Sequence, residues 1–176
     1  EEEKFRGDVD GSLKEYSFCY RGNSDQLYVF EAPIDLLSFI QLFPKDWEQR
    51  SYLSLGGTSD RALTAFLSDS PSITSVFLCL DNDKAGEEAC EKIAGKEVPC
   101  ERIIRLKPVL KDWNEIICHQ EEMQGRNPVA DTIVLKAPEK EEIVPMIYYQ
   151  DVEATSVEWL WFPYIPFGKL TIIQGN

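Results

Sequence analysis

Acidic residues and glycines directly follow three apolar runs that the sequence predicts to be strands. Glu31 follows YVF, the pair Gly56 and Gly57 follows YLSL, and Asp81 and Asp83 follow VFLCL. Because the loops after parallel strands gather at one sheet edge, we expect these residues to lie close together. Carboxylates that converge repel one another unless a cation lies among them. Since Mg²⁺ prefers carboxylate oxygens together with waters and substrate phosphates, the spacing predicts a Mg²⁺ (or Mn²⁺) site.

Each of these features also has a structural interpretation. Asp81 and Asp83 precede a predicted helix, where Asp is a favoured capping residue. Glu31 also stands just before a predicted helix, and the glycine pair fits a tight turn. The sequence KDWNE at 111–115 fits a capping box, because an acid stands three residues after Asp112. Taken singly, none of these features decides between capping and catalysis.

Strand and helix patterns alternate from about residue 12 to residue 124. The runs EYSFCYR and QLYVF, separated by the turn residues GNSD, predict a β-hairpin. Apolar period and helix-start signals predict the elements that follow: a helix over 33–43, a strand over 51–55, a helix over 59–67, a strand over 75–80, a helix over 84–94, a strand over 101–106 and a helix over 112–123. This alternation predicts an α/β fold, with a mainly parallel sheet flanked by helices on both faces.

The character of the chain changes after residue 124. Residues 125–151 contain three prolines and an acid-rich charge run at 139–142, which is typical of a linker. Aromatic residues return from Val157 in the sequence VEWLWFPYIPFG. We therefore expect a domain with its N-terminal hairpin over residues 1–124, a linker over 125–155 and a C-terminal part over 156–176.

The charge balance limits how the chain can bind nucleic acid. Lys and Arg total 18 against 31 Asp and Glu, a formal charge of −13. Phosphate backbones are bound by Lys and Arg that displace counterions, so a DNA or RNA role requires a metal ion, a local basic strip or a partner domain. No apolar run approaches the ~20 residues of a membrane span, and no N-terminal pattern resembles a signal peptide. We therefore expect a cytoplasmic chain with no membrane contact.

The five cysteines are scattered, and no two of them form a C-x-x-C pair. Zinc sites need closely spaced ligand pairs, and disulfide frameworks belong to small secreted domains. Cys118 and His119 are neighbours in a predicted helix, where adjacent side chains diverge rather than meet. We expect reduced cysteines, most of them in the core.

Taken in order, four motifs resemble the Toprim domain, which is shared by bacterial-type primases, topoisomerases and some nucleases and recombination proteins. They are FEAPIDLLS, SLGGTSD, LCLDNDKAGEEA and KDWNE, within residues 27–117. KDWNE is similar to the lysine-Asp-x-Asn-Glu element of phage primase–helicases, which favours the primase branch. The stretch FRGDVDGSLKEYSF with LYVFEAPIDLLS further resembles Toprim-containing proteins of mobile elements in Gram-positive bacteria. The resemblance implies a Toprim, Rossmann-like fold.

The resemblance also implies a role for each matching residue. Glu31 would be a general acid/base or a metal ligand, and Asp81 and Asp83 would hold Mg²⁺. Asp112 would act through a water or by orienting its loop, and Lys111 would supply positive charge for a phosphate. The implied site residues are, as catalytic residues, Glu31, Asp112 and Lys111; as metal ligands, Asp81, Asp83 and Glu31; and as substrate-binding residues, Gly56, Gly57, Arg105 and Lys107.

The implied function is Mg²⁺-dependent phosphoryl (nucleotidyl) transfer on nucleic acid in a DNA primase or primase–helicase-like replication protein. A non-catalytic Toprim-like assembly module and a Toprim-class nuclease are the alternatives. A D-x-D phosphatase is disfavoured, because its nucleophilic Asp belongs on the first core strand, which here ends in Glu31. Primases carry a zinc-binding module and a basic template-binding subdomain before Toprim. We therefore expect DNA or RNA binding only in the context of such domains, and no primer synthesis by this chain alone.

The C-terminal residues favour the same branch. FGKLTIIQGN at 167–176 resembles the first strand of a RecA-like ATPase, with Gly175 where the phosphate-binding loop would open. An ordinary edge strand is the alternative. The aromatic residues of this segment would form a large apolar patch if left uncovered. We expect them to pack on the Toprim body or, through self-association, on a second copy; they are Trp159, Trp161, Phe162, Tyr164 and Phe167.

Overall fold

A computed structural model describes residues 16–138, 159–161 and 165–166. The chain divides into two units, Glu1–Glu139 and Lys140–Asn176. Within 16–138, none of the helices is long and apolar enough to cross a membrane.

The first unit contains a six-stranded sheet. Its strands are β1 (Cys19–Tyr20), β2 (Gln26–Phe30), β3 (Ser51–Ser54), β4 (Ser75–Leu78), β5 (Arg102–Pro108) and β6 (Val129–Lys136). Their order across the sheet is β1-β3-β2-β4-β5-β6, in which β3, β2, β4 and β5 are parallel and the two edge strands are antiparallel. The apolar runs of the central strands are thus covered on both faces, as parallel sheets require.

Helices cover both faces of the sheet. They are α1 (Pro33–Leu42), α2 (Arg61–Ser68), α3 (Lys84–Ala94) and α4 (Trp113–Cys118), with a 3₁₀ turn at Trp47–Gln49. Leu27 and Val29 of β2 pack in one core with α2 and α3, whereas Tyr28 and Phe30 pack in a second core with α1 and α4. Alternate residues of a strand face opposite sides, so one short strand supplies both cores. The predicted α/β fold is confirmed.

The predicted β-hairpin is wrong in its pairing. β1 pairs with β3, with Cys19 opposite Leu53 and Tyr20 opposite Tyr52. β2 already has a parallel partner on each side, β3 and β4, so it offers β1 no free edge. The residues after β1 instead cross the start of β3, where the Gln49 carbonyl accepts the N–H groups of the two residues after Gly22 at 3.0 and 2.8 Å. A Cβ at Gly22 would collide with that carbonyl.

β6 lies inside the predicted linker over 125–155. It pairs antiparallel with β5 along its length, from Val129 opposite Pro108 to Lys136 opposite Ile103. Most of its side chains are exposed, so it lacks the apolar alternation by which a strand is recognised. Lys136 fastens its end, because its Nζ donates to the carbonyls of Val98 at 3.2 Å and Cys100 at 2.7 Å.

The second unit is described only at two short strands. β7 (Trp159–Trp161) pairs antiparallel with β8 (Ile165–Pro166). The predictions for the packing of the aromatic side chains and for a RecA-like strand over 167–176 lie outside the described residues.

Candidate functional site

The carboxyl ends of β2 and β4 bring Glu31 and Asp81 together. The Cys79 N–H donates to the Val29 carbonyl at 2.8 Å, which carries the parallel pairing past the last residue of β4. Two residues on, the Asp81 N–H donates to Glu31 Oε1 at 3.3 Å. The two acids that the motifs place at strand ends are therefore neighbours at one sheet edge.

The glycine pair after β3 holds the backbone of Glu31. Gly56 and Gly57 have φ angles of 65° and 129°, which residues other than glycine rarely adopt. The turn lets the Gly57 N–H donate to the Glu31 carbonyl at 3.0 Å, and Ser54 Oγ donates to the same carbonyl at 3.3 Å. The glycine pair lies at the sheet edge where the sequence predicts it. In the structure, this turn fixes the backbone of Glu31.

Asp81 is the most perturbed carboxylate of this edge. Its Oδ1 is buried and has no hydrogen-bond partner within the described ranges. Burial, together with the nearby charges of Glu31, Asp35 and Asp112, raises the pKa of Asp81 to about 7, against the lowering effect of Lys111. Burial also raises the pKa of Glu31 above its ordinary value. Ionised together, these groups repel, and a bound cation would relieve that repulsion.

Asp83 and Asp112 both cap helices. Asp83 Oδ1 accepts the Gly86 N–H at 2.9 Å at the start of α3, and Asp112 Oδ1 accepts the Glu115 N–H at 2.6 Å at the start of α4. Glu115 in turn accepts the N–H of Lys111, the residue before the cap, at 2.9 Å, so its side chain reaches back much as in a capping box. The capping interpretation is therefore correct for both residues. It engages one oxygen of each carboxylate and leaves the other for a metal or a water.

Backbone contacts join the loop of Asp81 to the loop of Asp112. The Asn82 N–H donates to the Lys111 carbonyl at 2.6 Å, and Asn82 Nδ2 donates to the Pro108 carbonyl at 3.1 Å. The buried Trp113 donates its Nε1–H to the Cys79 carbonyl at 2.8 Å. Asn82 and Trp113 therefore hold the K-D-W-N-E loop against the end of β4.

Asp35 belongs to this site and was not among the predicted residues. Its side chain is 5% exposed, and its Oδ1 accepts the Asn114 N–H at 3.1 Å. Burial raises its pKa, and so does the neighbouring Asp112. The available signal was its place just after Glu31, because the first turn of a helix that follows a parallel strand lies at the same sheet edge as the strand end. Its position in the first turn of α1 resembles an ordinary helix-start acid, which hides that signal.

The three predicted cations lie in different environments. Lys111 is 60% exposed, with its Nζ 4.0 Å from Asp81 Oδ2. Lys107 pairs with Glu87 at 2.9 Å. Arg105, expected to meet substrate, is 1% exposed and lies beneath the D-x-D loop. Only Lys111 stands beside the acids and open to solvent.

The donor set fits a hard divalent cation that keeps part of its water shell. In residues 16–138, no three His, Cys, Asp or Glu side chains lie close enough together to enclose an ion by themselves. Mg²⁺ characteristically takes only one or two carboxylates and fills its shell with waters and substrate phosphates. Asp81 Oδ1, which has no partner among the residues that the structure describes, and the adjacent Glu31 match that requirement.

Comparison with known proteins gives one matching family and several similar solved structures. No curated protein matches the chain. A crystal structure of the primase fragment of the bacteriophage T7 primase-helicase is 24% identical, with a TM-score of 0.47 over 60% of this chain and 44% of that one. A structure of the bacteriophage T7 lagging-strand DNA polymerase interacting with primase domains bound to an RNA/DNA hybrid and dTTP gives 22% identity and a TM-score of 0.47 over 62% and 58%.

The chain thus spans about half the length of the two chains it matches. A family model described as Toprim-like matches residues 28–117, just over half of this chain. These are nearly the same residues that carry the resemblance in the sequence, which is confirmed: the chain belongs to the Toprim-like family.

Proposed function

We propose that this Toprim-like domain binds Mg²⁺ (or Mn²⁺) through Asp81, Asp83 and Glu31, and serves nucleotidyl transfer on nucleic acid in a primase-like protein. The observation that carries the proposal is Asp81, whose buried Oδ1 lacks a partner within the described ranges while three other acids raise its pKa. Strongly perturbed acids that a fold does not neutralise mark functional sites more often than structural ones. The motif order of the primase branch gives the reaction class.

Some side chains of the site would bind the metal, and others would hold the loops in place or contact the phosphate. Asp81 and Asp83 present carboxylate oxygens from a loop that Asn82 ties to the next loop. Glu31 accepts the Asp81 N–H with Oε1, so Oε2 is the atom that would ligate or hold a proton. The ion, when bound, would neutralise negative charge on a phosphate oxygen. Lys111 would approach the same phosphate from the solvent side.

Nucleic acid would be held mainly by other parts of the protein. The formal charge of −13 opposes backbone binding by this chain. A DNA or RNA strand would therefore reach the acids together with basic or zinc-binding domains, and the metal would offset the local negative charge.

Calorimetric titration of Mg²⁺ and Mn²⁺ tests the metal site. The variant is Asp81→Asn/Asp83→Asn, in which Asn at 83 preserves the helix cap because Asn caps as well as Asp. The control is Glu91→Gln/Glu101→Gln, two exposed acids that change the charge equally. We expect saturable binding by the wild type and the control, and at least about tenfold weaker binding by the site variant. Equal binding by all three proteins would refute the proposed site.

One observation favours a non-catalytic assembly module as the second candidate. Lys111 Nζ lies 4.0 Å from Asp81 Oδ2, so a lysine offsets part of the charge that a metal would neutralise. If the wild type binds neither ion, this alternative is preferred. If it binds them, assays of strand synthesis and cleavage with Glu31→Gln decide between a primase-like and a nuclease activity.

A further inference from the structure

Arg105 is a fully charged side chain in the interior of the domain. Its side chain is 1% exposed, and a buried guanidinium must replace its lost hydration with hydrogen bonds. Nη1 donates to three carbonyls, those of Leu78 at 3.3 Å, Leu80 at 2.7 Å and Leu106 at 3.2 Å. Nη2 donates to the Asp81 carbonyl at 2.9 Å and pairs with Glu87 at 3.3 Å.

These bonds begin where the sheet ends. The parallel pairing of β4 with β5 stops at Leu78, which lies opposite Arg105 itself. The next backbone carbonyls, as far as Asp81, leave the ladder, and the guanidinium of Arg105 takes the place of the missing strand partner for Leu80 and Asp81. Arg105 thus continues the hydrogen bonding of the sheet as far as Asp81, whose carboxylate is the most perturbed at this edge.

The Asp81 carbonyl also lies against α3. A Cβ at Gly86 would collide with that carbonyl, so the helix backbone lies directly against it. Glu87, one residue later, pairs with Arg105 and with Lys107. The backbone carbonyl of Asp81 is therefore held by both the first turn of α3 and the guanidinium.

Stability alone explains this arrangement poorly. Buried ion pairs are often no more stabilising than apolar residues of the same volume. Arg105 Nε is also buried and has no hydrogen-bond partner within the described ranges, which is unfavourable. The position of the side chain is instead explained by the backbone carbonyls that its two Nη atoms bind.

We propose that Arg105 is a positioning residue: by fixing the Asp81 carbonyl, it sets the direction of the metal-binding carboxylates, and it touches no substrate itself. The expected effect on metal binding rests on the proposed function. The positioning of the Asp81 backbone rests only on contacts within the first unit. A displacement of about 1 Å in such a group suffices to impair a site.

Hydrogen exchange tests the mechanism without any metal. The variants are Arg105→Lys and Arg105→Gln, and the matched control is Lys136→Met, which removes another cation that donates to two carbonyls, those of Val98 and Cys100, at the far end of β6. In the Arg105 variants we expect amide exchange to accelerate about tenfold more in peptides spanning 79–88 than in peptides spanning 26–30. In Lys136→Met we expect no such difference. Equal acceleration in both peptides would show a merely structural role and overturn the proposal.

Mn²⁺ titration tests the consequence at temperatures where every variant is folded. We expect Arg105→Lys to raise the Mn²⁺ Kd about tenfold, and Lys136→Met to leave it unchanged while lowering Tm. An unchanged Kd in Arg105→Lys would overturn the proposal. If the wild type binds no Mn²⁺, the proposed function fails, and the exchange data alone decide whether Arg105 positions the loop.

Glu87→Gln keeps the test valid if Arg105→Gln does not fold. It leaves the guanidinium in place and weakens only one of its anchors. We expect the same faster exchange over 79–88 as in the arginine variants, with a smaller amplitude. Unchanged exchange over 79–88 in both Glu87→Gln and Arg105→Lys would refute the positioning role of Arg105.

Discussion

Two aspartates with similarly low side-chain exposure lie beside the two ends of α3, in opposite electrostatic surroundings. Asp81, beside the first turn, has a side chain 16% exposed, and Asp60, beside the last turn, has one 13% exposed. Asp60 forms ion pairs with Lys96 and, at 4.0 Å, with Lys92. The hydrogen bond from Lys96 lowers the pKa of Asp60, whereas burial among other acids raises that of Asp81 to about 7.

Side-chain exposure therefore does not distinguish the two aspartates, whereas the charges of their neighbours do. One end of the helix brings cations to an acid, which stabilises the ionised form and the fold together. At the other end, acids that other elements carry surround an acid, which lowers stability and is retained where it serves a function. Conflicts of this kind are expected at functional sites. The difference between the ends can be tested by matched substitutions.

Gly86→Ala against Gly95→Ala is the pair with the largest expected difference. A Cβ at Gly86 would collide with the backbone carbonyl of Asp81, which cannot yield without moving the loop, whereas a Cβ at Gly95 makes only ordinary contact at an ordinary φ of −77°. We expect Gly86→Ala to lower the free energy of unfolding by about 3 kcal/mol and Gly95→Ala to change it by less than about 1 kcal/mol. Urea denaturation measures both, and equal effects would mean that the loop does not press on α3.

Asp81→Asn should stabilise the metal-free protein. Because the folded-state pKa of Asp81 is raised from 3.8 to about 7, its contribution to stability is fully present below pH 3.8 and is lost as the pH rises through 7. The variant should therefore gain on the order of 2 kcal/mol at pH 8 and nothing near pH 4. Urea denaturation in EDTA at several pH values, with the exposed Asp131→Asn as control, measures this gain. A loss of stability at pH 8 would contradict the repulsion among these acids.

Substitutions of Asp83 separate capping from metal binding. Asp83→Ala removes the oxygen that accepts the Gly86 N–H and should lower the free energy of unfolding by about 1 kcal/mol, whereas Asp83→Asn should lower it by only a few tenths. Both substitutions should weaken Mn²⁺ binding, because an amide replaces a charged ligand poorly. Thermal unfolding and Mn²⁺ titration measure the two effects. Intact Mn²⁺ binding in Asp83→Asn would restrict Asp83 to its capping role.

The central sheet and the meeting of Glu31 with Asp81 could be predicted, because both follow from local apolar runs and from the rule that parallel strands share one edge. The pairing of β1 could not, since strand order depends on which edges remain free. β6 escaped prediction because an exposed edge strand shows little apolar alternation. In each case the missing information is a contact distant in sequence.

Arg105 shows a different limit. The resemblance implied a substrate-binding cation at this position, but Arg105 stands two residues from Ile103, which is fully buried. Since alternate residues of a strand share a face, that spacing predicts a buried guanidinium facing α3. What the spacing leaves open is the partner, because the carbonyls of Leu80 and Asp81 belong to a loop whose path local patterns do not define.

Asp60→Asn has the smallest expected effect and the opposite sign to Asp81→Asn. Its pKa is lowered by Lys96, so the stabilising contribution is present above 3.8 and is lost as the pH falls below that value. Both lysines are about half exposed, which screens the pair, so we expect a loss of only about 0.5 kcal/mol at pH 7. A double-mutant cycle with Lys96→Met isolates the pair. Because the contrast assigns the difference between the two aspartates to the charges around them, it is valid only if this cycle gives a favourable coupling while Asp81→Asn stabilises.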